Sequence, residues 1–434
     1  ALARDPQQLD ALVGRGMLAL ALHDFRGALV LGDRIQALNP YKAAGIGVRV
    51  DALVELGRYA AALAWQIPGE ALTHLGAPNF GLITRAPRGV VGMIVPWNFP
   101  LVTLFQKLPF ALAAGCTCVV KPSELTSGTA LEVAALATKA GLPPGVINVV
   151  TGTGAQVGEA LIDHPDVQMI SFTGSTAVGR KIALRCGEQL KRVGLELGGK
   201  AANVVFADAD IDAALVGALL GYVLNQGEEC VQGSRLIVEE RIADEFVARL
   251  AARSGAVRVG MPLDESTDMG ALIHEQHMNK VLGYIELGVA SGARLLCGGR
   301  RVVDGPLGRG WFVSPAVFDG CDDAMDIVRE EIFGPVMCVL EFDDEDEAVA
   351  RANATEFGLS AAVFTRDLAR AHRVVARLEA GTCWINHYNV TPIELPFGGY
   401  KHSGLGRENS RAAIEHYTQL KSVYVALRDI ESPY

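Results

Sequence analysis

A chain of 434 residues, half of them hydrophobic, with a formal charge of -10 and a pI near 5.5, has the length and apolar content of a globular protein with two or three domains. Its acidic balance, with no dense run of Lys and Arg, argues against a phosphate backbone as partner, so no nucleic acid is expected. Its cysteines, at 116, 118, 186, 230, 297, 321, 338 and 383, have no CxxC pairing and sit in a chain far too long for a disulfide scaffold, which fits a reducing, cytoplasmic setting.

The first apolar run, MLALAL (Met17 to Leu22), is too short to span a bilayer and continues into HDFRG, so it reads as a buried helix, and no membrane partner is expected. From Val90 onward the chain alternates. VVGMIVP, TCVVK, VINVV and QMISF are short β-branched runs, and helical spacing fills the intervals, as in the βαβ units of a parallel sheet. After TCVVK, Ser127 offers a hydroxyl N-cap. Val133, Leu136, Ala137 and Ala140 then form one apolar stripe that Gly141 terminates. A second series starts at RLIVEE near Arg235, passes through ADEFVARLAARSG, and reaches MCVLEF and AAVFT. Two sheet-based α/β domains are expected, with the crossing near residue 200.

Between the two series lies DIDAALVGALLGYVLNQGEEC, a helical run that delivers Cys230 to the expected junction, where ligand clefts are favoured. Glu228 and Glu229 stand immediately before that thiol, although neighbouring negative charge opposes thiolate formation. Either the acidic pair turns to solvent and backbone around an ordinary buried cysteine, or the surroundings are built to use the sulfur.

Three strings bear on that choice: PWNFP at 96–100, LELGGK at 195–200 and NQGEECVQGSR at 225–235. With KPSE, FTGSTAVG, EEIFGPV and PFGGYKHSGLGRE they resemble, in order and spacing, the aldehyde dehydrogenase superfamily from about Pro87 to the C-terminus. The resemblance implies an α/β fold with a Rossmann-type cofactor domain (1–69 and 88–198), a second α/β catalytic domain (199–402) and a small oligomerisation element (70–87 and 418–434). It also implies a homodimer or homotetramer. LNPYKAAGIGV and ARDPQQLDALV depart from the family pattern and read as a truncated or rearranged start of the cofactor domain.

Aldehyde oxidation needs a nucleophile, donors for a tetrahedral oxyanion, a hydride acceptor and a base that activates water. By resemblance Cys230 is the nucleophile, the Asn98 side chain and the Cys230 backbone N–H hold the oxyanion, and Glu196 is the base. Lys107 and Glu408 match positions that relay protons or charge. The acyl group would pass through a thiohemiacetal and a thioester to the carboxylic acid.

The implied cofactor is NAD. Phe172, Thr173, Gly174, Ser175 and Gly179 lie at a strand end that runs into a helix start, a natural phosphate seat. Gly154 and Gly158 of GTGAQVG form a competing glycine turn that begins a helix. Lys121, Pro122, Ser123 and Glu124 follow a strand at its carboxyl end, where open α/β sheets bind ligands, and Glu124 would accept from a ribose 2′-OH while repelling a 2′-phosphate. Val95, Pro96, Trp97, Leu197, Glu331 and Phe333 complete the implied cofactor set. Nine histidines without HExxH or clustered spacing imply no metal.

The C-terminal runs resemble enzymes that oxidise betaine aldehyde, 4-trimethylaminobutyraldehyde and aminoaldehydes. Phe99, Tyr388 and Phe397 are candidate cage walls for a quaternary ammonium, with Val231 beside the nucleophile. Gln106 stands where many such relatives carry Trp, which weakens the cage. Glu229, and Glu55, could instead attract an amine end. Two rival readings stay open: a relative that passes its acyl group to coenzyme A, against which Glu196 argues, and a catalytically silent relative kept for binding.

Overall fold

A computed structural model describes residues 57–75 and 79–428. The Met17–Leu22 run, Glu55, and the parts of the expected domains at 1–56 and 429–434 lie outside the described residues.

The chain divides into two compact units, the first holding residues 54–196, 393–397 and 406–434, the second 197–392 and 398–405. In the first, β1 (Glu70–Leu72) pairs antiparallel with β2 (Asn79–Pro87). Five parallel strands then follow: β3 (Val90–Ile94), β4 (Thr117–Lys121), β5 (Ile147–Val149), β6 (Val167–Thr173) and β7 (Arg192–Glu196), lying in the order β7-β6-β3-β4-β5. Val91, Met93, Cys118, Val120, Met169 and Ile170 are fully buried in β3, β4 and β6, as expected for parallel strands covered on both faces.

Helix α1 (Gly128–Lys139) corrects two expectations. Ser127 sits at its N-cap with helical angles (φ -70°, ψ -21°) and makes no side-chain cap bond, because a capping hydroxyl reaches the free N–H row only from an extended backbone. The inward line is Ala130, Val133, Ala134 and Ala137, so Leu136, 53% exposed, and Ala140 fall outside it. Gly141 does end the helix, at φ +93°. Helix α2 (Thr176–Glu188) has the cap that α1 lacks: Ser175 is extended, and its hydroxyl accepts from Val178 N–H at 3.4 Å.

The second unit carries β8 (Ala202–Val205), helix α3 (Ile211–Val223), β9 (Arg235–Glu239), helix α4 (Glu275–Ala290), β10 (Arg294–Cys297), β11 (Ala316–Asp319), β12 (Val336–Phe342), β13 (Ser360–Phe364) and β14 (Thr382–Ile385). Its sheet runs β10-β11-β12-β9-β8-β13-β14, parallel except for β10. Val204, Ile237, Phe318, Val336 and Val363 form the centre of its core. Asp210 caps α3 by accepting from Ala213 N–H at 3.1 Å. Arg235, 1% exposed, enters β9 with its guanidinium donating to the carbonyls of Lys200, Arg351 and Ala352, so its charge is met by backbone dipoles.

The chain returns to the first unit through helix α5 (Ser410–Tyr417) and β15 (Thr418–Ala426), which pairs antiparallel with β2 from Thr418↔Pro87 to Ala426↔Asn79. Among the described residues no helix is long and apolar enough to cross a membrane.

Candidate active site

In the first unit the carboxyl ends of β3 and β7 carry the candidate polar groups. Val95, Pro96 and Trp97 lead from β3 to Asn98, which is half-buried. Proline then starts the short helix 100–105, with Phe99 at its N-cap and Gln106 at its C-cap. Lys107 follows at once. Its Nζ donates to Glu408 Oε1 at 2.6 Å, both side chains being buried. Ser171 in β6 donates to the same oxygen at 3.3 Å, and the Tyr417 hydroxyl donates to Ser171 at 3.2 Å, so the ion pair ends a buried relay of hydroxyls.

Glu196 closes β7 and is buried, with no hydrogen-bond partner for Oε2 among the described residues. Burial raises its pKa well above the usual carboxylate range and the Glu408 charge adds to this, against opposing pulls from Lys107 and Arg407. A buried carboxyl with a free lone pair and a raised pKa suits a general base.

Gly174 lies between β6 and α2; its N–H donates to Glu196 O at 3.0 Å, and a Cβ there would meet the Phe172 ring at 2.5 Å. The N-terminus of α2, with Ser175 as cap, Thr173 before it and Gly179 buried in its first turns, fits a phosphate. Lys121, buried at the end of β4, donates to Pro122 O at 2.8 Å and stands 3.5 Å from the half-exposed Glu124 carboxylate. Ser123 Oγ accepts from Leu125 N–H at 3.3 Å. A cation beside an open carboxylate, at the carboxyl end of a strand, fits sugar hydroxyls. Gly154 and Gly158 bound a π-helical turn, capped by Thr153 accepting from Gln156 N–H at 3.3 Å. This is the turn into a helix that the glycine spacing suggests.

In the second unit α3 stops at Val223 and the backbone turns left-handed at Asn225 (φ 48°, ψ 39°), Gln226 (φ 60°, ψ 20°) and Gly227 (φ +72°). A Cβ on Gly227 would lie 2.5 Å from the Gly334 carbonyl, so a side chain is excluded. Cys230 follows, half-buried with its thiol free of any disulfide. Gly199 packs against its carbonyl so closely that a Cβ would lie 2.3 Å from Cys230 O.

That glycine pair also seats Glu331. Gly199 N–H donates to Glu331 Oε1 at 3.1 Å, and a Cβ on Gly198 would lie 2.3 Å from Oε2. Burial raises the Glu331 pKa, against the Gly199 N–H and the charges of Lys280 and Lys200. Leu197 is buried and its N–H donates to Ser403 O at 2.9 Å. Phe333 takes φ 61°, with its carbonyl accepting from His277 Nε2 at 2.7 Å.

The acidic pair does not turn to solvent. Glu228 and Glu229 are both buried: Glu228 accepts from Ile273 N–H at 2.9 Å, and Glu229 accepts from Asn389 Nδ2 at 3.1 and 3.3 Å. Burial pushes the Glu228 carboxyl up to about 8. Tyr388, a candidate cage wall, is 1% exposed, its hydroxyl donates to Val231 O at 2.7 Å, and its ring lies against Gly221, Gly233 and Trp384. Phe397, also buried, exchanges backbone bonds with Glu408 at 2.8 Å. Phe99 and Gln106 remain half-buried.

Several site residues escape sequence reasoning. Gly198 and Gly199 lie inside the LELGGK string and are marked by it, but their close approaches are not readable. Ser171 is a lone hydroxyl in an apolar strand, a weak signal that something polar faces it. Gln232 lies inside the NQGEECVQGSR string, but the donation of its amide to Gly334 O at 2.6 Å is not readable from it.

Residues 39–423 match the model of the aldehyde dehydrogenase family. The betaine aldehyde dehydrogenase of Sinorhizobium fredii is 51% identical over 356 residues, 82% of this chain and 73% of that one. That of Cereibacter sphaeroides is 50% identical over 374 residues, 86% and 76% of the two chains. Among solved structures, an NAD-dependent aldehyde dehydrogenase from Sinorhizobium meliloti superposes with a TM-score of 0.88 at 43% identity, covering 99% of this chain and 84% of that one. A betaine aldehyde dehydrogenase from Staphylococcus aureus in complex with NAD+ gives 0.89 at 34% identity, with coverages of 99% and 84%. On sequence, fold and residue pattern together, the chain belongs to the aldehyde dehydrogenase family.

Proposed function

We propose that this enzyme oxidises an aldehyde to its carboxylic acid with NAD, through a thioester on Cys230. The observation that carries the proposal is the half-buried Cys230 thiol, outside any disulfide, set by a left-handed turn and a glycine contact next to a buried Glu331 seat. The Cys230 thiolate adds to the carbonyl carbon, and the Asn98 amide and Cys230 N–H stabilise the oxyanion. Bound NAD would supply the two-electron acceptor for the hydride lost as the thioester forms. Glu196 then takes a proton from water, whose oxygen attacks the thioester, releasing acid and thiolate. Lys107 and Glu408 hold charge beside that base. Lys121, Glu124, Ser175 and Glu331 are the groups that would hold the cofactor, through phosphate and ribose oxygens.

For substrate we propose a cationic aldehyde of the betaine aldehyde or aminoaldehyde class, in line with the relatives named above. Phe99 is the aromatic candidate left after Tyr388 and Phe397 prove buried, and Glu229 the acidic one. We further assign residues 1–69 and 88–198 to cofactor binding, 199–402 to catalysis, and 70–87 with 418–434 to subunit assembly, in a cytoplasmic homodimer or homotetramer. Free thiols at all eight cysteines accord with a reducing compartment.

NADH formation with betaine aldehyde, 4-aminobutyraldehyde and hexanal, with and without coenzyme A, tests these assignments. Turnover without coenzyme A, lost in Cys230→Ser, is expected. Strict dependence on coenzyme A would favour an acylating enzyme, and no turnover with any aldehyde would favour a silent relative.

A further inference from the structure

The left-handed turn before Cys230 needs something to hold it, since each non-glycine residue in that conformation costs roughly 1–2 kcal/mol. Two side chains of the same loop reach out to do so. Gln232 donates to Gly334 O at 2.6 Å. On the other side Glu228, 3% exposed, accepts the Ile273 N–H at 2.9 Å through Oε1, and Gln226 Nε2 at 3.4 Å through Oε2.

Both anchors lead to the same place. Ile273 immediately precedes His274, the N-cap of α4. His277 in the first turn of α4 stands with Nε2 3.7 Å from Glu228 Oε1 and donates to Phe333 O at 2.7 Å. Lys280, one turn further, donates to Glu331 O at 3.1 Å. The links therefore close a ring: thiol loop, Glu228, the start of α4, Phe333, Gly334, Gln232 and back to the thiol loop. Burial holds His277 at about 4, so its ring is neutral near pH 7 and its Nε2 proton stays on the Phe333 carbonyl.

We propose that Glu228 is a positioning residue for the nucleophile: seated on the Ile273 N–H beside His277, it holds the left-handed loop so that Cys230 stays in register with the 331–334 segment. It touches no reacting atom. The inference rests on the assignment of Cys230 as nucleophile and extends it to the device that aims the sulfur. It also answers why a carboxyl sits so near a thiol: its oxygens are occupied by the loop and by α4.

The test compares Glu228→Met, which keeps length and volume but removes the acceptor, with Glu228→Gln, whose amide oxygen still accepts from Ile273 N–H. Glu228→Met is expected to lose about 10- to 100-fold in kcat per titratable thiol, the scale of an ångström-sized misplacement. Its Cys230 should react with iodoacetamide at a changed rate in the absence of NAD, with KM for NAD within about twofold of the parent. Glu228→Gln should stay within about threefold in kcat. Gln232→Met opens the ring on its other side and should reproduce the loss, which keeps the test alive where Glu228→Met does not fold. Parental kcat and alkylation rate in Glu228→Met or in Gln232→Met, or a fall in Glu228→Gln as deep as in Glu228→Met, would overturn the proposal. Cys230→Ser separates the two levels: turnover surviving in that variant removes the nucleophile assignment itself, whatever position 228 does.

Discussion

Asn98 lies just beyond β3 and is the proposed oxyanion donor, while Glu196, the proposed base, closes β7 with one carboxylate oxygen that has no hydrogen-bond partner among the described residues. Removing one oxyanion donor commonly costs about 10²–10³ in rate. Asn98→Ala should therefore lose kcat on that scale while its melting temperature stays near the parental value; unchanged turnover would remove the role. For Glu196 the sign follows from the raised pKa: a base held protonated to higher pH than a free carboxylate becomes competent only as pH rises. The kcat profile should climb through a value above the ordinary carboxylate range, and Glu196→Gln should abolish that climb. Lys107 and Glu408 differ in kind, being a buried ion pair. Lys107→Met leaves the Glu408 charge unmatched and should destabilise the fold by about 3–5 kcal/mol in urea unfolding, whereas Lys107→Met with Glu408→Leu should recover much of the loss.

At the scale of elements, α5 carries a buried histidine that has no use for a proton. Among the described residues His416 Nε2 is buried without a hydrogen-bond partner, and burial, helped by Arg192, Lys107 and Arg88, lowers its pKa to about 4. The unfolded chain takes up that proton near pH 6.5, so the stabilisation is complete above 6.5 and is lost as pH falls toward 4. The full effect is on the order of 3 kcal/mol. His416→Leu should flatten part of the acid-side decline in stability, measured by denaturation at pH 7 and pH 4.5; parallel curves for both proteins would contradict it. Elements also mark where sequence stops being readable. Alternating β-branched runs announce β3, β4 and β6, but a serine before a helix does not settle a cap, since Ser175 caps its helix and Ser127 does not. Periodicity in α1 names an apolar stripe but cannot say which line turns inward. Ala130 is buried on the inward line, and Leu136 is left outside. Asn225 and Gln226 lie in the NQGEECVQGSR string, but their left-handed angles are not legible there, since the loop is anchored through Glu228 and Gln232 to Ile273 and Gly334, far away in the chain.

Across the whole molecule, the motif strings carry the catalytic candidates but not the contacts that arrange them. Ser171, Gly199 and Gln232 gain meaning only from neighbours tens to hundreds of residues distant. The same scale would govern the proposed subunit assembly. Among the described residues β15 is the outer strand of its three-stranded sheet, with Leu420 64% and Tyr424 84% exposed. Such an edge invites pairing with another chain. Leu420→Glu with Tyr424→Lys should lower the mass measured by light scattering to that of a smaller assembly; an unaltered mass would exclude this edge from the subunit interface.

Gly199 carries a last consequence. With a Cβ only 2.3 Å from Cys230 O, even a methyl group there would have to displace the backbone that bears the sulfur. In a saturation screen scored by growth or colour, codon 199 would look as intolerant as codon 230, though it performs no chemistry. A library built to broaden the range of accepted aldehydes should therefore leave it untouched and place its diversity on the half-buried Phe99 and Gln106.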